Sequence, residues 1–104
     1  MKNMGGLLKQ AQQMQKRMAE IDKLLNNAEV TGSINGGLVT AVMSGKGELK
    51  KIKIDPSILD DIEILEDLIV AACADAKKNA DKLSETEMQS VTGGLPLPPG
   101  MKLP

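Results

Sequence analysis

The sequence predicts an α+β fold of order α-β-β-β-α, with a three-stranded antiparallel meander and two long helices. Three observations carry this. A heptad-spaced apolar stripe fills the first quarter of the chain, two glycine turns cut the next stretch into three short runs, and a second amphipathic stretch follows an Asp-Pro-Ser junction. At 104 residues the chain is one small domain. It divides into a body, residues 1–92, and a Pro/Gly-rich C-terminal tail, residues 93–104.

The first helix is expected over residues 6–27. Met4, Leu7, Ala11, Met14, Met18, Ile21 and Leu25 follow steps of three and four, which is an a/d seam. Good helix formers (Gln, Lys, Arg and Glu) fill the positions between, and Asn26–Asn27 ends the run. Such a seam packs either on the chain's own sheet or on a second copy. The stripe is long for one small sheet to cover, so the expected dimer interface is Leu7, Ala11, Met14, Met18, Ile21 and Leu25.

Residues 28–54 read as strand, NGG turn, strand, GKG turn, strand. Asn-Gly accepts the positive φ of tight hairpins. In the last run, Ile52 and Ile54 share one face while Lys51 and Lys53 share the other, because side chains alternate along a strand. Asp55, Pro56 and Ser57 then start a short helical turn, with Asp55 as cap and Pro56 at the first position. The second long helix is expected over 62–88, with Leu65, Leu68, Ile69, Ala72, Cys73, Ala76, Ala80 and Leu83 inward. Carboxylates crowd its start and lysines come late, as the helix dipole favours. Four of the five prolines fall in the last nine residues, which excludes helix there.

The net charge of −1 conceals a strong polarity. Residues 1–54 hold nine cations and four anions; residues 55–104 hold four cations and ten anions. A chain so divided can present a basic face while slightly acidic in total. There is no Phe, Trp or Tyr, and aromatics ordinarily supply the largest buried areas. A monomer of this size is then marginal, which favours a homo-oligomer. No run of about 18 apolar residues suggests a membrane span, the N-terminus lacks a signal-peptide pattern, and the lone Cys73 fits a cytoplasmic protein.

Catalytic chemistry is not expected. The chain has no His, the usual general base near neutral pH. Cys73 has no such partner and reads as a small buried hydrophobe. The carboxylates at 60–67 lack calcium-loop spacing and glycine, and read as a solvated helix face. The glycine turns lack the full phosphate-loop pattern. Neither metal nor cofactor is expected.

The lysines are the remaining feature. Lys50, Lys51 and Lys53 stud one strand. They fit a solubilising face, an acidic protein partner, or nucleic acid. Readers of single strands stack bases on aromatic rings, absent here, and only one of the 13 cations is Arg, the residue that reads guanine bidentately. A nucleic-acid partner would therefore be duplex DNA held through its phosphates, with weak sequence preference.

Five stretches, in order, carry a resemblance: GGLLKQAQQMQKRM, AEVTGSINGGLV, IDPSIL, LEDLIVAACADA and LPPGMKLP. Together they resemble the YbaB/EbfC family of bacterial nucleoid-associated proteins. The resemblance implies an intertwined, tweezer-like homodimer that binds DNA in the cytoplasm, associated with the nucleoid, and affects compaction and gene expression. It places DNA contacts on both long helices, hence at Lys9, Lys16 and Arg17 and at Lys77, Lys78 and Lys82; Lys50, Lys51 and Lys53 are added from charge alone. Met101 stands where relatives often carry Phe. The alternative is a homodimeric adaptor whose acidic helix and proline-rich tail engage a protein of the replication or repair machinery, with DNA binding incidental.

Overall fold

A computed structural model describes residues 4–92; the tail at 93–104 lies outside the described residues. The element order is α1 (Met4–Asn27), β1 (Glu29–Ile34), β2 (Val39–Ser44), β3 (Leu49–Ile54) and α2 (Ile62–Thr92), with short 3-10 turns at Asn35–Gly37 and Pro56–Ile58. The expected α-β-β-β-α order is observed. Both helices outrun their expected lengths. α1 starts at Met4 instead of residue 6, because Gly5 and Gly6 lower helix propensity without forbidding it. α2 runs to Thr92 instead of 88, the last residue before Gly93–Gly94.

The strands form one antiparallel sheet of order β1-β2-β3. Asn35, Gly36 and Gly37 all have positive φ, which only such residues adopt at low cost, and they return the chain into β2. The β2–β3 turn is organised by the buried Ser44. Its hydroxyl oxygen accepts the backbone N–H groups of Lys46 and Glu48, both at 3.2 Å. The Gly45 N–H donates to the Leu25 carbonyl at 2.8 Å, and Lys46 pairs with Asp22. This turn therefore anchors the C-terminal end of α1.

α2 packs on one face of the sheet. Val39, Ala41 and Met43 meet Leu68, Ala72 and Ala76 in the buried core, and Val30, Ile34, Ile52, Leu65, Ile69 and Cys73 pack around them half-buried. The expected inward stripe is thus observed, with Leu68, Ala72, Ala76 and Ala80 its most buried members. The helix comes unusually close to β1. A Cβ on Gly32 would lie 2.6 Å from the Ala72 carbonyl oxygen and 2.7 Å from the Ala76 Cα. Small residues on both sides replace the missing aromatics: the core is closed by backbone approach rather than by large side chains.

Asp55 caps the Pro56 turn as expected, accepting the Ser57 N–H at 2.9 Å. That backbone hydrogen bond holds its carboxyl below the ordinary value. A carboxyl depressed on folding stabilises the fold above its unfolded pKa, and the contribution fades as pH drops through the lower folded value. Asp61, which composition alone could not single out, caps α2 by accepting the Ile64 N–H at 3.1 Å.

A methyl group at position 32 has nowhere to go. Gly32→Ala should cost about 3 kcal/mol or more, at the upper end for overpacking, and lower the melting temperature sharply in a calorimetric scan. Gly5→Ala, where nothing lies within 4 Å, should instead stabilise α1 by up to about 1 kcal/mol.

Candidate nucleic-acid interface

The cross-strand register sorts the side chains. Ile34 pairs with Val39 and Val39 with Ile54; Ala41 pairs with Ile52, Thr40 with Lys53 and Val42 with Lys51. Directly opposed residues share a face. Ile52 and Ile54 therefore lie on the face that carries α2, and Lys51 and Lys53 lie on the far face beside Thr40 and Val42. Lys50 falls at a register shift opposite Val42–Met43, and its Nζ donates to the Asn26 carbonyl at 3.4 Å. β3 is an edge strand, and Lys50, Lys51 and Lys53 are all exposed.

The helix cations form two further groups. Lys9 and Lys16 are exposed on α1. Arg17 is held between elements: one nitrogen lies 3.5 Å from a Glu20 oxygen and another donates to the Ser90 hydroxyl on α2 at 3.4 Å. On α2, Lys78 and Lys82 are exposed and one turn apart. Lys77 pairs with Asp81 at 2.6 Å, and its stem crosses Gly47, whose φ is +87°.

The nine expected site residues are therefore placed on three elements and in two layers, not in one cluster. Lys51 and Lys53 lie beyond the sheet, while Lys77, Lys78 and Lys82 lie on the helix layer. Among the described residues, Lys9, Lys16, Lys51, Lys53, Lys78 and Lys82 have no hydrogen-bond or ion partner. Arg17 and Lys77 are partly neutralised by Glu20 and Asp81. Spacing signalled Lys77–Asp81 as an i,i+4 pair; nothing in the sequence signalled that Lys46 meets Asp22 across 24 residues.

The expected dimer seam is also divided. Ile21 and Leu25 are buried within the chain. Leu7, Met14 and Met18 remain 62%, 50% and 41% exposed, and Ala11 is exposed with them. A second apolar surface stays open on the β3 side of α2. It includes Leu49 and Ile54 on β3, and Ile62 and Val70 on α2, the latter two 65% and 69% exposed. The carboxylates at Asp60, Asp61, Glu63, Glu66 and Asp67 are exposed, and among the described residues no group of three or more is placed to hold a metal ion. Nor is any described helix long and apolar enough to cross a membrane.

Comparison with known proteins gives these features a context. A nucleoid-associated protein of Paramagnetospirillum magneticum is 56% identical over 106 aligned positions, covering 100% of this chain and 99% of the relative. One of Granulibacter bethesdensis is 53% identical with the same coverage. The crystal structure of an uncharacterized Helicobacter pylori protein superimposes with a TM-score of 0.73 at 26% identity, covering 89% of this chain and 97% of that one. These likenesses place the chain among small bacterial proteins of the nucleoid-associated class. A model of the YbaB/EbfC DNA-binding family matches residues 1–95, and the chain belongs to that family, which is a DNA-binding family and not an enzyme class.

The β2–β3 turn that fixes α1 depends on one hydroxyl. Ser44→Ala removes the shared acceptor of two N–H donors in a half-buried turn, which should cost about 1 kcal/mol. Chemical denaturation should show the loss, and exchange of the Lys46 and Glu48 amides should accelerate.

Proposed function

We propose that this chain binds duplex DNA as a homodimer, mainly through phosphates and with weak sequence preference, and so affects compaction and expression of the bacterial nucleoid in the cytoplasm. The observation that carries the reading is the set of unpaired ammonium groups on exposed faces of a chain in a DNA-binding family. Each ammonium that meets a phosphate releases condensed counterions, and that entropy gain is indifferent to base sequence. Lys51 and Lys53 on the sheet, with Lys9, Lys16, Lys78 and Lys82 on the helices, supply contacts of this kind. Arg17, Lys50 and Lys77 join them once their present partners are displaced.

The open apolar surface supports the homodimer. α2 covers β1 and β2 but leaves the inner face of β3 partly bare, next to the exposed Ile62 and Val70. A two-fold pairing through this surface covers the same patch on both chains at once. Ile21 and Leu25 are already spent inside the chain, so the α1 stripe contributes less to pairing than its periodicity suggests. Two-fold symmetry doubles every basic group and lets one duplex meet cations from both subunits.

Binding to random duplex should weaken steeply with salt, with a log–log slope of about −0.9 per phosphate engaged. Lys9→Gln, Lys16→Gln and Arg17→Gln together remove six cations from each dimer, and should flatten that slope by up to about 5 and weaken all sequences alike. No duplex binding in gel shifts at ~50 mM salt would overturn the reading.

Val70→Asp places a charge in the proposed subunit contact, where burial without a partner is costly. Light scattering should report a monomer, whereas Met14→Lys should leave the dimer mass unchanged.

A further inference from the structure

α2 changes sign along its length. Over residues 62–74 it carries Glu63, Glu66 and Asp67 and no cation; over residues 75–82 it carries Lys77, Lys78 and Lys82 against Asp75 and Asp81. Between the two charges lies Val70, 69% exposed and the barest large apolar side chain among the described residues. Glu63 stands seven residues before it and Lys77 seven residues after. Seven residues make nearly two turns, so the three side chains share one face within about 40°, and each charge lies about 10 Å along the helix from the valine.

The contacts of α2 show where this face is directed. Asp75 accepts the Ser33 N–H and Asn79 donates to the Thr31 carbonyl, so that side of the helix meets β1. Val70 lies about 140–180° around the helix from both, and its face is turned away from β1. Glu63, Ala74 and Lys77 are exposed with it. Among the described residues Glu63 has no ion partner, and Lys77 meets only Asp81 of its own helix, an exposed pair of a kind that contributes little.

We propose that α2 packs against α2 of a second copy, antiparallel and centred on Val70, so that Glu63 of each chain meets the partner's Lys77. This rests on the homodimer reading and adds a register to it. A two-fold axis relates two packed copies of one helix in either of two ways. If the axis runs along the helices, they are parallel, and Glu63 faces Glu63 while Lys77 faces Lys77. If it crosses them, they are antiparallel, and every charge on this face meets its opposite. Opposed like charges are penalised, so the charge pattern selects the crossed arrangement, and the helix dipoles favour it in the same sense. Val70 and the small Ala74 one turn on allow the axes to approach to about 8–10 Å. The apolar contact supplies attraction, and the flanking charges fix orientation. Lys78 and Lys82 lie about 80° and 120° around the helix from Val70, off the contact, and stay open to phosphate.

The test reverses the charges one at a time in the full chain. Glu63→Lys alone and Lys77→Glu alone each set like charges against one another twice per dimer. By sedimentation equilibrium each should dimerise about tenfold more weakly than wild type. Both reversals in one chain restore opposite pairs, and that protein should dimerise as wild type does, which also shows that the substitutions leave the fold intact. An equal mixture of the two single variants, one isotopically heavy, pairs opposite charges at both contacts. Native mass spectrometry should then find about nine-tenths of the dimers mixed, against one-half for random pairing. Dimers of wild-type affinity in every variant, with random mixing, would overturn the antiparallel register and leave the homodimer standing. A wild-type chain that sediments as a monomer would remove the homodimer reading itself.

Discussion

The contact on which the rest of this structure depends is the approach of the α2 backbone to β1 at Gly32. With no aromatic side chain to fill a gap, helix and sheet can close the core only by coming very near each other. Gly32 on one side and Ala72 and Ala76 on the other permit it. The approach fixes where α2 lies: over β1 and β2, with Val39 and Ala41 fully enclosed beneath it. It also fixes what α2 cannot reach. A helix seated over two strands of a three-stranded sheet leaves much of the third uncovered, and β3 is that strand.

The two edges of the sheet are consequently unlike. At β1, Asp75 accepts the Ser33 N–H at 3.1 Å and the Asn79 amide donates to the Thr31 carbonyl at 2.7 Å. These side chains from α2 satisfy edge groups that would otherwise invite another strand. At β3 no helix side chain among the described residues does this, and the sequence places lysines there instead. Lysine on an edge is a recognised guard against unwanted strand pairing. The proposed DNA contact would give the same charges a second use, since a lysine that discourages strand pairing also attracts a polyanion.

Much of this was legible from residue order. The turn at Asn35–Gly37, the Asp55 cap, the alternation of Ile52 and Ile54 with Lys51 and Lys53, and the Leu68–Ala72–Ala76 stripe all rest on local rules that distant contacts did not override. The α1 seam was legible only in part. Periodicity shows that a face is apolar, but the partner depends on where the neighbouring helix stops. Ile21 and Leu25 lie alongside α2, whereas Leu7 lies past its end. Gly32 sat in a strand with nothing to distinguish it from a residue of low propensity, since its role is defined by Ala72 and Ala76 some 40 positions away. The Lys46–Asp22 pair escaped for the same reason: both residues look like ordinary surface charges until the fold joins the β2–β3 turn to α1.

A net charge of −1 is no obstacle to the proposed contact with a polyanion. What matters at a phosphate is the potential within about a Debye length, roughly 8–10 Å at physiological salt, not the sum over the molecule. The carboxylates at 55–67 cluster at the start of α2, where Asp55 and Asp61 serve as caps and the others favour the helix dipole. Among the described residues, the lysines without a partner lie on α1, on the far face of the sheet and in the later turns of α2. The kind of cation matters as well. The single arginine is engaged by Glu20 and Ser90, which leaves flexible ammonium groups as the free donors. Such groups follow a phosphate wherever the backbone puts it but read a base edge poorly. If these groups meet DNA as proposed, a surface of this composition would recognise the shape and charge of a duplex before its sequence.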